Sequence, residues 1–191
     1  MRVFLILFSA LLINNYVFIR FLGICPFLGV SKKLDTAIGM GFAATFVLVM
    51  SSVITWFVNL LLVMAGLEFL RTVSFILVIA TFVQFVEFVI KKNSPTLYEA
   101  LGIYLPLITT NCIILGVAIL NAQAKYSLLE AAFHALGAGL GFLVALVIFA
   151  GIRERLELYE LPKSFEGLPI ALILASIISM AFMGFQGLIK L

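Results

Sequence analysis

The residues of this chain best suited to chemistry are its two cysteines, Cys25 and Cys112. Each begins the pattern Cys-x-x-Leu-Gly-Val, and the two copies lie 87 residues apart. Two thiolates suit a metal ion or a disulfide, whereas an iron–sulfur cluster usually takes four. A second polypeptide with the same two-cysteine arrangement would therefore have to supply the missing pair for a cluster.

The two cysteines also allow alternatives to a cluster. A membrane cysteine is often a small buried hydrophobe, although the repeated motif counts against that interpretation here. A disulfide is possible, but nothing resembles the Cys-x-x-Cys pair of redox exchangers. A zinc site lacks ligands, because His134 is the only histidine.

The composition indicates an integral membrane protein. Of 191 residues, 64% are hydrophobic and 11% are charged, against about 25% charged residues in soluble domains. A spanning helix needs roughly 20 apolar residues, so we predict an all-α fold with about six spans and no separate soluble domain. The net charge of +3 is not typical of nucleic-acid binding, because the basic residues lie in loops beside lipid head groups. We expect the N-terminal stretch to remain as the first span, since no Ala-x-Ala-like cleavage site follows it.

The six predicted spans divide the chain into two halves of three, residues 1–92 and 93–191. Their predicted bounds are Val3–Leu22, Ala37–Ala65, Thr72–Ile90, Leu101–Leu120, Leu128–Gly151 and Leu168–Ile189. Each Cys-x-x-Leu-Gly-Val copy lies in or just after the first span of its half. A second likeness is Gly39-x-Gly41 in the first half and Gly137-x-Gly-x-Gly141 in the second, where the spacing implies an insertion.

The loop charges predict the orientation. The loops after spans one, three and five hold eight basic residues: Arg20, Lys32, Lys33, Lys91, Lys92, Arg153, Arg155 and Lys163. The termini and the other loops hold four: Arg2, Arg71, Lys125 and Lys190. The positive-inside rule places the larger group in the cytoplasm and both termini outside. Two halves of three spans then enter from opposite sides, which predicts an inverted repeat.

The first span of each half is predicted to be a broken helix. Asn14-Asn15 lies inside span one, and Pro26 follows Cys25. Span four contains Pro106 and then the polar run before Cys112. Broken helices at matching places in two halves indicate a site near the middle of the membrane. We therefore expect both cysteines at half-helix ends, deep in the bilayer.

Several other polar residues are candidates for ion handling. Glu87, with Lys91 four residues on, suits either an interfacial salt bridge or an ion-handling carboxylate. Glu130 and His134 are also four apart, and suit either a polar pair at a helix end or a proton relay. Asn111, beside Cys112, could donate a hydrogen bond to a cluster sulfur.

At the cysteines the chain resembles a known family. The segments Phe21–Lys33 and Leu105–Val117 resemble the two cysteine motifs of the family that contains the A and E subunits of Rnf complexes and the D and E subunits of Nqr complexes. The likeness extends over the whole chain in length, spans and motifs. The short leader and the outside N-terminus resemble the A-type members of Rnf, and the alternative is the E-type member of Nqr.

This resemblance implies a function in electron transfer. Rnf complexes move electrons between ferredoxin and NAD and couple this to Na⁺ or H⁺ movement across the bacterial cell membrane. The A-type and E-type subunits are similar, are inserted in opposite orientations and together hold a [2Fe-2S] cluster. The resemblance thus implies Cys25 and Cys112 as two of its ligands. It further implies an E-type partner and the B, C, D and G subunits of the complex.

Two functions of other classes compete with this one. A small secondary transporter built on an inverted repeat would explain the broken helices but not the repeated cysteine. A scaffold subunit without a cofactor is the third possibility.

Overall fold

The computed structural model describes residues 2–31, 33–93, 105–156, 158, 159, 162, 165 and 167–184. The described residues are helical, with turns between the helices and no β-strand. The helices are α1 (Arg2–Phe8), which continues as a π-helical turn (Ser9–Ile13), α2 (Ile24–Val30), α3 (Leu34–Met64), α4 (Arg71–Asn93), α5 (Leu105–Thr109), α6 (Cys112–Gln123), α7 (Leu128–Leu156) and α8 (Leu168–Met183). A short 3₁₀ turn, Glu68–Leu70, precedes α4.

The structure confirms a helical membrane protein. Four segments of the described chain are long and apolar enough to cross a membrane: Leu34–Met64, Glu68–Val89, Pro106–Gln123 and Leu128–Leu156. The first and last predicted spans contain shorter apolar helices, Val3–Ile13 and Leu168–Met183. Within predicted span one the helix ends at Ile13, directly before the Asn14-Asn15 break that the sequence predicts. The predicted bounds Leu101 and Ile189 lie outside the described residues.

Helices α3 and α7 form the centre of the molecule and run antiparallel. A Cβ atom added at Gly139 would lie 2.9 Å from the Cα of Thr45, and one added at Gly41 would meet Leu143. Ser52, farther along α3, donates a hydrogen bond to the carbonyl of Ala131 near the start of α7. The glycines therefore allow the two main chains to approach closely, as small residues do in membrane helices.

Helix α1 packs on another side of α7 and runs parallel to it. A Cβ at Gly137 would lie 2.6 Å from the carbonyl oxygen of Leu7, and one at Gly141 would lie 3.0 Å from that of Leu11. Asn15 donates its side-chain amide to the carbonyl of Gly141 at 2.9 Å. Gly137 and Gly141 therefore face α1, while Gly139 faces α3.

Candidate cysteine site

Both cysteines lie at the start of a helix. Cys25 is the second residue of α2, and Cys112 is the first residue of α6. Both are exposed on this chain. The structure confirms the predicted breaks in the first and fourth spans, since neither segment is a continuous helix.

The break before Cys25 begins at the polar residues Asn14-Asn15. The π-helical turn ends at Ile13, and the Asn15 side chain accepts a hydrogen bond from the N–H of Val17 at 3.0 Å. Side chains that bond to nearby backbone groups compete with the helix in this way. The turn then closes through Phe21, with φ +53°, and Gly23, with φ +82°. Gly23 tolerates this left-handed conformation because it lacks a Cβ atom.

The break before Cys112 is made by Thr110 and Asn111. Helix α5 ends at Thr109, and the next helix begins after the extended residue Asn111. The Asn111 Oδ1 accepts a hydrogen bond from the N–H of Ile113 at 3.3 Å and so caps α6. Pro106 has no N–H to donate, and α5 loses no hydrogen bond by this, because Pro106 lies in the first turn of that helix.

The two cysteine motifs meet in the folded chain. The N–H of Gly23 donates a hydrogen bond to the Sγ of Cys112 at 2.9 Å. A Cβ at Gly23 would lie 3.4 Å from the Asn111 Oδ1 and 3.0 Å from the ring of Phe142. A Cβ at Gly116 of the second motif would meet Leu22, just before the first motif. Two segments 87 residues apart in sequence therefore share one site.

The site lies level with the middle of α7. Phe142, which touches Gly23, has fourteen residues of α7 on each side of it. From this level α2 runs toward one end of α7, where Arg153 donates a hydrogen bond to Leu28 O at 3.0 Å. Helix α6 runs toward the other end, where Asn121 bonds to Ala131. The two cysteine helices therefore leave the site in opposite directions.

The side-chain amide of Asn111 is the best candidate for contact with a bound group. Asn111 is 4% exposed, and its Nδ2 has no hydrogen-bond partner in the part of the chain that the structure describes. A buried donor without a partner is costly, at about 1–3 kcal/mol. Among the described residues no three His, Cys, Asp or Glu side chains come together as a metal site. This chain thus offers two thiols and two nearby N–H donors, with further ligands required from elsewhere.

Comparison with known proteins settles the family. Residues 3–189 match the family described as Rnf-Nqr subunit, membrane protein. The chain belongs to the Rnf-Nqr subunit family. It is similar to the A subunit of the Na(+)-translocating ferredoxin:NAD(+) oxidoreductase complex of Acetobacterium woodii, with 55% identity over 98% of each chain. It is also similar to A subunits of complexes named ion-translocating oxidoreductase. The A subunit of Thioalkalivibrio sulfidiphilus is 57% identical, and the match covers 97% of each chain. The A subunit of Photorhabdus laumondii is 55% identical, and the match covers 98% of this chain and 97% of that subunit.

The other candidate residues of this Rnf-Nqr chain lie away from the cysteines. Glu87 lies toward the end of α4 and accepts a hydrogen bond from the Gln84 side chain at 3.3 Å. Glu130 accepts hydrogen bonds from the N–H and hydroxyl of Ser127, at 3.0 and 3.1 Å, and so caps the start of α7. An ion-handling function of these carboxylates stays a prediction.

His134 belongs to a buried hydrogen-bond chain that sequence spacing did not reveal. Its Nε2 lies 2.6 Å from the Tyr16 hydroxyl, and its Nδ1 lies 2.6 Å from the Asn121 Oδ1. The Asn121 amide donates to the Ser52 hydroxyl at 2.7 Å, which donates in turn to Ala131 O at 3.1 Å. Because the Asn121 Oδ1 can only accept, a neutral His134 carries its proton on Nδ1 and donates it to that oxygen. The Tyr16 hydroxyl then donates to Nε2. The chain of hydrogen bonds joins α3, α6, α7 and the segment between α1 and α2.

The structure corrects the position of Arg20. The charge count placed Arg20 on the same side of the membrane as Lys33. Lys33 lies near the C-terminal end of α7, where the N–H of its neighbour Leu34 donates to Glu154. Instead, the Arg20 guanidinium lies 5.7 Å from the centre of the Tyr16 ring and lines a cavity with Tyr126, at the other end. The long side chain reaches back past its own turn, as membrane arginines do. With Arg20 moved to the outer group, seven basic residues lie on the predicted cytoplasmic side and five on the outer side, so the predicted orientation is unchanged. Lys32, Lys163 and Lys190 in this count lie outside the described residues.

Proposed function

We propose that this chain is the A-type membrane subunit of an ion-translocating ferredoxin:NAD oxidoreductase of the Rnf class. The support is the identity of 55–57% to proteins named as A subunits of such oxidoreductase complexes, over nearly the full length of each. That agreement favours Rnf over Nqr membership. In this function the chain has no activity alone and acts within the complex.

Within the complex the chain contributes half the ligands of a [2Fe-2S] cluster, Cys25 and Cys112. The observation that carries this proposal is the meeting of the two cysteine motifs beside Asn111, whose buried Nδ2 has no partner among the described residues. A cluster with four thiolate ligands supplies one-electron transfer when bound. Gly23 N–H already bonds to one thiol sulfur, and Asn111 would donate to the bound group. Such N–H donors raise the reduction potential of a cluster.

The depth of the site suits electron transfer across a membrane. The hydrocarbon core is about 30 Å thick, which is too wide for one efficient transfer step. Gly23, which bonds to the Cys112 sulfur, lies against the ring of Phe142, halfway along α7. A redox group held there divides the crossing into two shorter steps. The exposure of both thiols on the isolated chain is consistent with a partner that covers them.

We further propose that residues 1–92 and 93–191 are inverted repeats with six spans in all. Position 139 lies 98 residues after 41, and position 143 lies 98 after 45. Gly41 and Gly139 are equivalent positions under this shift, and each faces the other long helix, where Gly41 meets Leu143 and Gly139 meets Thr45. A two-fold axis in the membrane plane would place equivalent residues in this way. The cysteines differ by 87 instead of 98, as the predicted insertion requires.

The same proposal includes the location and the partners. The chain lies in the bacterial cell membrane with both termini outside, as the seven-to-five division of basic residues favours. Its direct partner is the homologous E-type subunit, inserted in the opposite orientation, which supplies the other two thiolates. The B-, C-, D- and G-type subunits complete the complex.

Electron paramagnetic resonance of the purified complex tests the cluster. The reduced wild-type complex should show a [2Fe-2S] signal in excess of the signals from its other centres. Cys25→Ser and Cys112→Ser should each remove that signal, whereas Ser176→Ala, an exposed hydroxyl on α8, should retain it. A signal that survives both cysteine substitutions would exclude the proposal. The chain expressed alone should bind no cluster stably, because it supplies two thiolates of four.

Reporter fusions test the orientation separately. Alkaline phosphatase is active outside the cytoplasm, and a green fluorescent protein folds to its fluorescent form inside it. We expect phosphatase activity with fusions at either terminus and fluorescence with an insertion after Arg155. Fluorescence at a terminus would overturn the proposed orientation without bearing on the cysteine ligands.

A further inference from the structure

A polar cavity of about 190 Å³ lies between α1, the end of α6 and the start of α7. Four apolar side chains line it together with six that carry polar groups: Ser9, Asn14, Tyr16, Arg20, Tyr126 and His134. It is separate from the cysteine site, which lies level with Phe142. Neither the proposed electron transfer nor the family resemblance gives it a function.

The charge of this cavity is positive. Arg20 is the one formally charged side chain in its lining, and no carboxylate is among the lining residues that the structure describes. The exposed guanidinium lies over the face of Tyr16, and Arg20 has no hydrogen bond or ion pair within the described chain. An arginine at membrane depth usually pairs with an anion or reaches the interface. The lining therefore disfavours a cation and suits an anion.

The cavity lies at the level of lipid head groups. His134 is eight residues from Phe142 along α7, which is about 12 Å. With Phe142 at the bilayer centre, the edge of the hydrocarbon core is about 15 Å away. Trp56 donates a hydrogen bond to Tyr126 O at 3.0 Å near this level. Such aromatic residues are typical of the membrane interface.

We propose that this cavity binds the phosphate of an anionic phospholipid head group. The Arg20 guanidinium presents paired N–H donors, which match two phosphate oxygens. The Ser9 hydroxyl accepts from Asn14 at 3.0 Å and keeps its own hydrogen for a ligand. On α1, Phe4 and Phe8 are exposed one turn apart, on a face of the helix other than the one that Ile6 presents to the cavity. An acyl chain of the bound lipid would therefore reach this apolar surface by passing around α1.

Binding would affect the segment that leads to Cys25. The phosphate would contact Arg20, which lies between Tyr16 and Gly23. Tyr16 is held by His134, and Gly23 bonds to Cys112. A head group bound to Arg20 would therefore restrict the motion of the non-helical segment before α2, between the buried contacts of Tyr16 and Gly23.

Native mass spectrometry of the intact complex tests the site. Delipidated complexes are titrated with phosphatidylglycerol, and the retained lipid is counted for wild type, Arg20→Gln and Arg20→Lys. We expect Arg20→Gln to need about tenfold more lipid for the same occupancy, since a charge-assisted contact is lost. Arg20→Lys should fall between the two, because it keeps the charge without the paired donors. Arg155→Gln, an exposed arginine at the other end of α7, is the matched control and should behave as wild type.

The same titration distinguishes other occupants. Inorganic phosphate at millimolar concentration should leave the bound phosphatidylglycerol in place, and displacement at that concentration would overturn the lipid as occupant. Equal lipid retention in wild type and Arg20→Gln would also overturn the proposal. Loss of a neighbouring protein from the Arg20→Gln complex, with lipid retention unchanged, would identify a protein carboxylate as the occupant instead. If Arg20→Gln fails to assemble, Arg20→Lys decides, since wild-type affinity in that variant would refute paired recognition.

Discussion

Gly139 lies where α7 touches α3 most closely, and a single methyl group there should separate the two helices. In Gly139→Ala the new Cβ would lie 2.7 Å from the Cγ2 and 2.9 Å from the Cα of Thr45. The methyl group of Thr45 can rotate away, but the Cα of α3 cannot move without its helix. The substitution therefore forces a backbone shift in the central pair of helices.

The magnitude follows from two opposing contributions. Overpacking of this kind costs about 1–3 kcal/mol, and the helix preference of alanine over glycine returns about 1 kcal/mol. We expect Gly139→Ala to lower the free energy of unfolding by up to about 2 kcal/mol. Gly151→Ala, in the same helix, introduces a methyl group with nothing within 4 Å. It should raise the stability by about 0.5–1 kcal/mol.

Reversible unfolding in mixed micelles with increasing dodecyl sulfate, followed by circular dichroism, measures both variants. The comparison cancels the effects of helix preference and detergent, because both substitutions are Gly→Ala in α7. The two free energies of unfolding should therefore differ by about 1–3 kcal/mol, which is the cost of overpacking alone. A difference below about 0.5 kcal/mol, the usual range of surface substitutions, would refute the close main-chain contact.

Three further substitutions probe the polar contacts. His134→Phe should destabilise the chain by about 2–5 kcal/mol in the same unfolding assay, because it leaves the Tyr16 hydroxyl and the Asn121 Oδ1 buried without partners. Asn111→Ala should lower the midpoint potential of the proposed cluster in a redox titration, since a donor to its sulfurs is lost; Asn111→Asp, which keeps the cap and adds negative charge, should lower it further. Arg153→Met should speed amide hydrogen exchange in α2, whose terminal carbonyl at Leu28 loses a charged donor.

Each of these predictions has a control and a contrary result. Ser176→Ala removes an exposed hydroxyl that bonds to Leu172 O, and it should change stability by less than about 0.5 kcal/mol. Wild-type stability of His134→Phe would show that the buried hydrogen-bond chain carries no net energy. A potential in Asn111→Asp equal to that of wild type would place Asn111 away from the cluster. Exchange in α2 that is unchanged by Arg153→Met would mean that the helix end is held by other contacts.

The helix breaks at the cysteines could be predicted because their causes are local. Asn14-Asn15 and the run before Cys112 each hold polar side chains that bond to nearby backbone. The meeting of the two motifs in one site could be predicted only through their repetition. The N–H of Gly23 as donor to Cys112 could not, since it depends on a turn with positive φ at Gly23.

The partners of His134 and the position of Arg20 show where sequence spacing fails. Four-residue spacing favours Glu130 beside His134, yet the imidazole nitrogens bond to Tyr16 and Asn121, which are 118 and 13 residues away. Arg20 follows an apolar stretch and so counts as a loop residue, although its long side chain turns back toward Tyr16. In both cases a distant contact decides the position, and no short window of sequence contains it.

The close contact of α3 with α7 also limits how this protein can move. Helices usually slide past each other through small side-chain readjustments, the shear type of motion. Where Gly41 and Gly139 bring main chain against main chain, few side chains remain to make such adjustments. The central pair should therefore behave as a rigid unit. Any rearrangement around the cysteines must then be a hinge motion at the non-helical residues before α2 and α6, which carry Cys25 and Cys112.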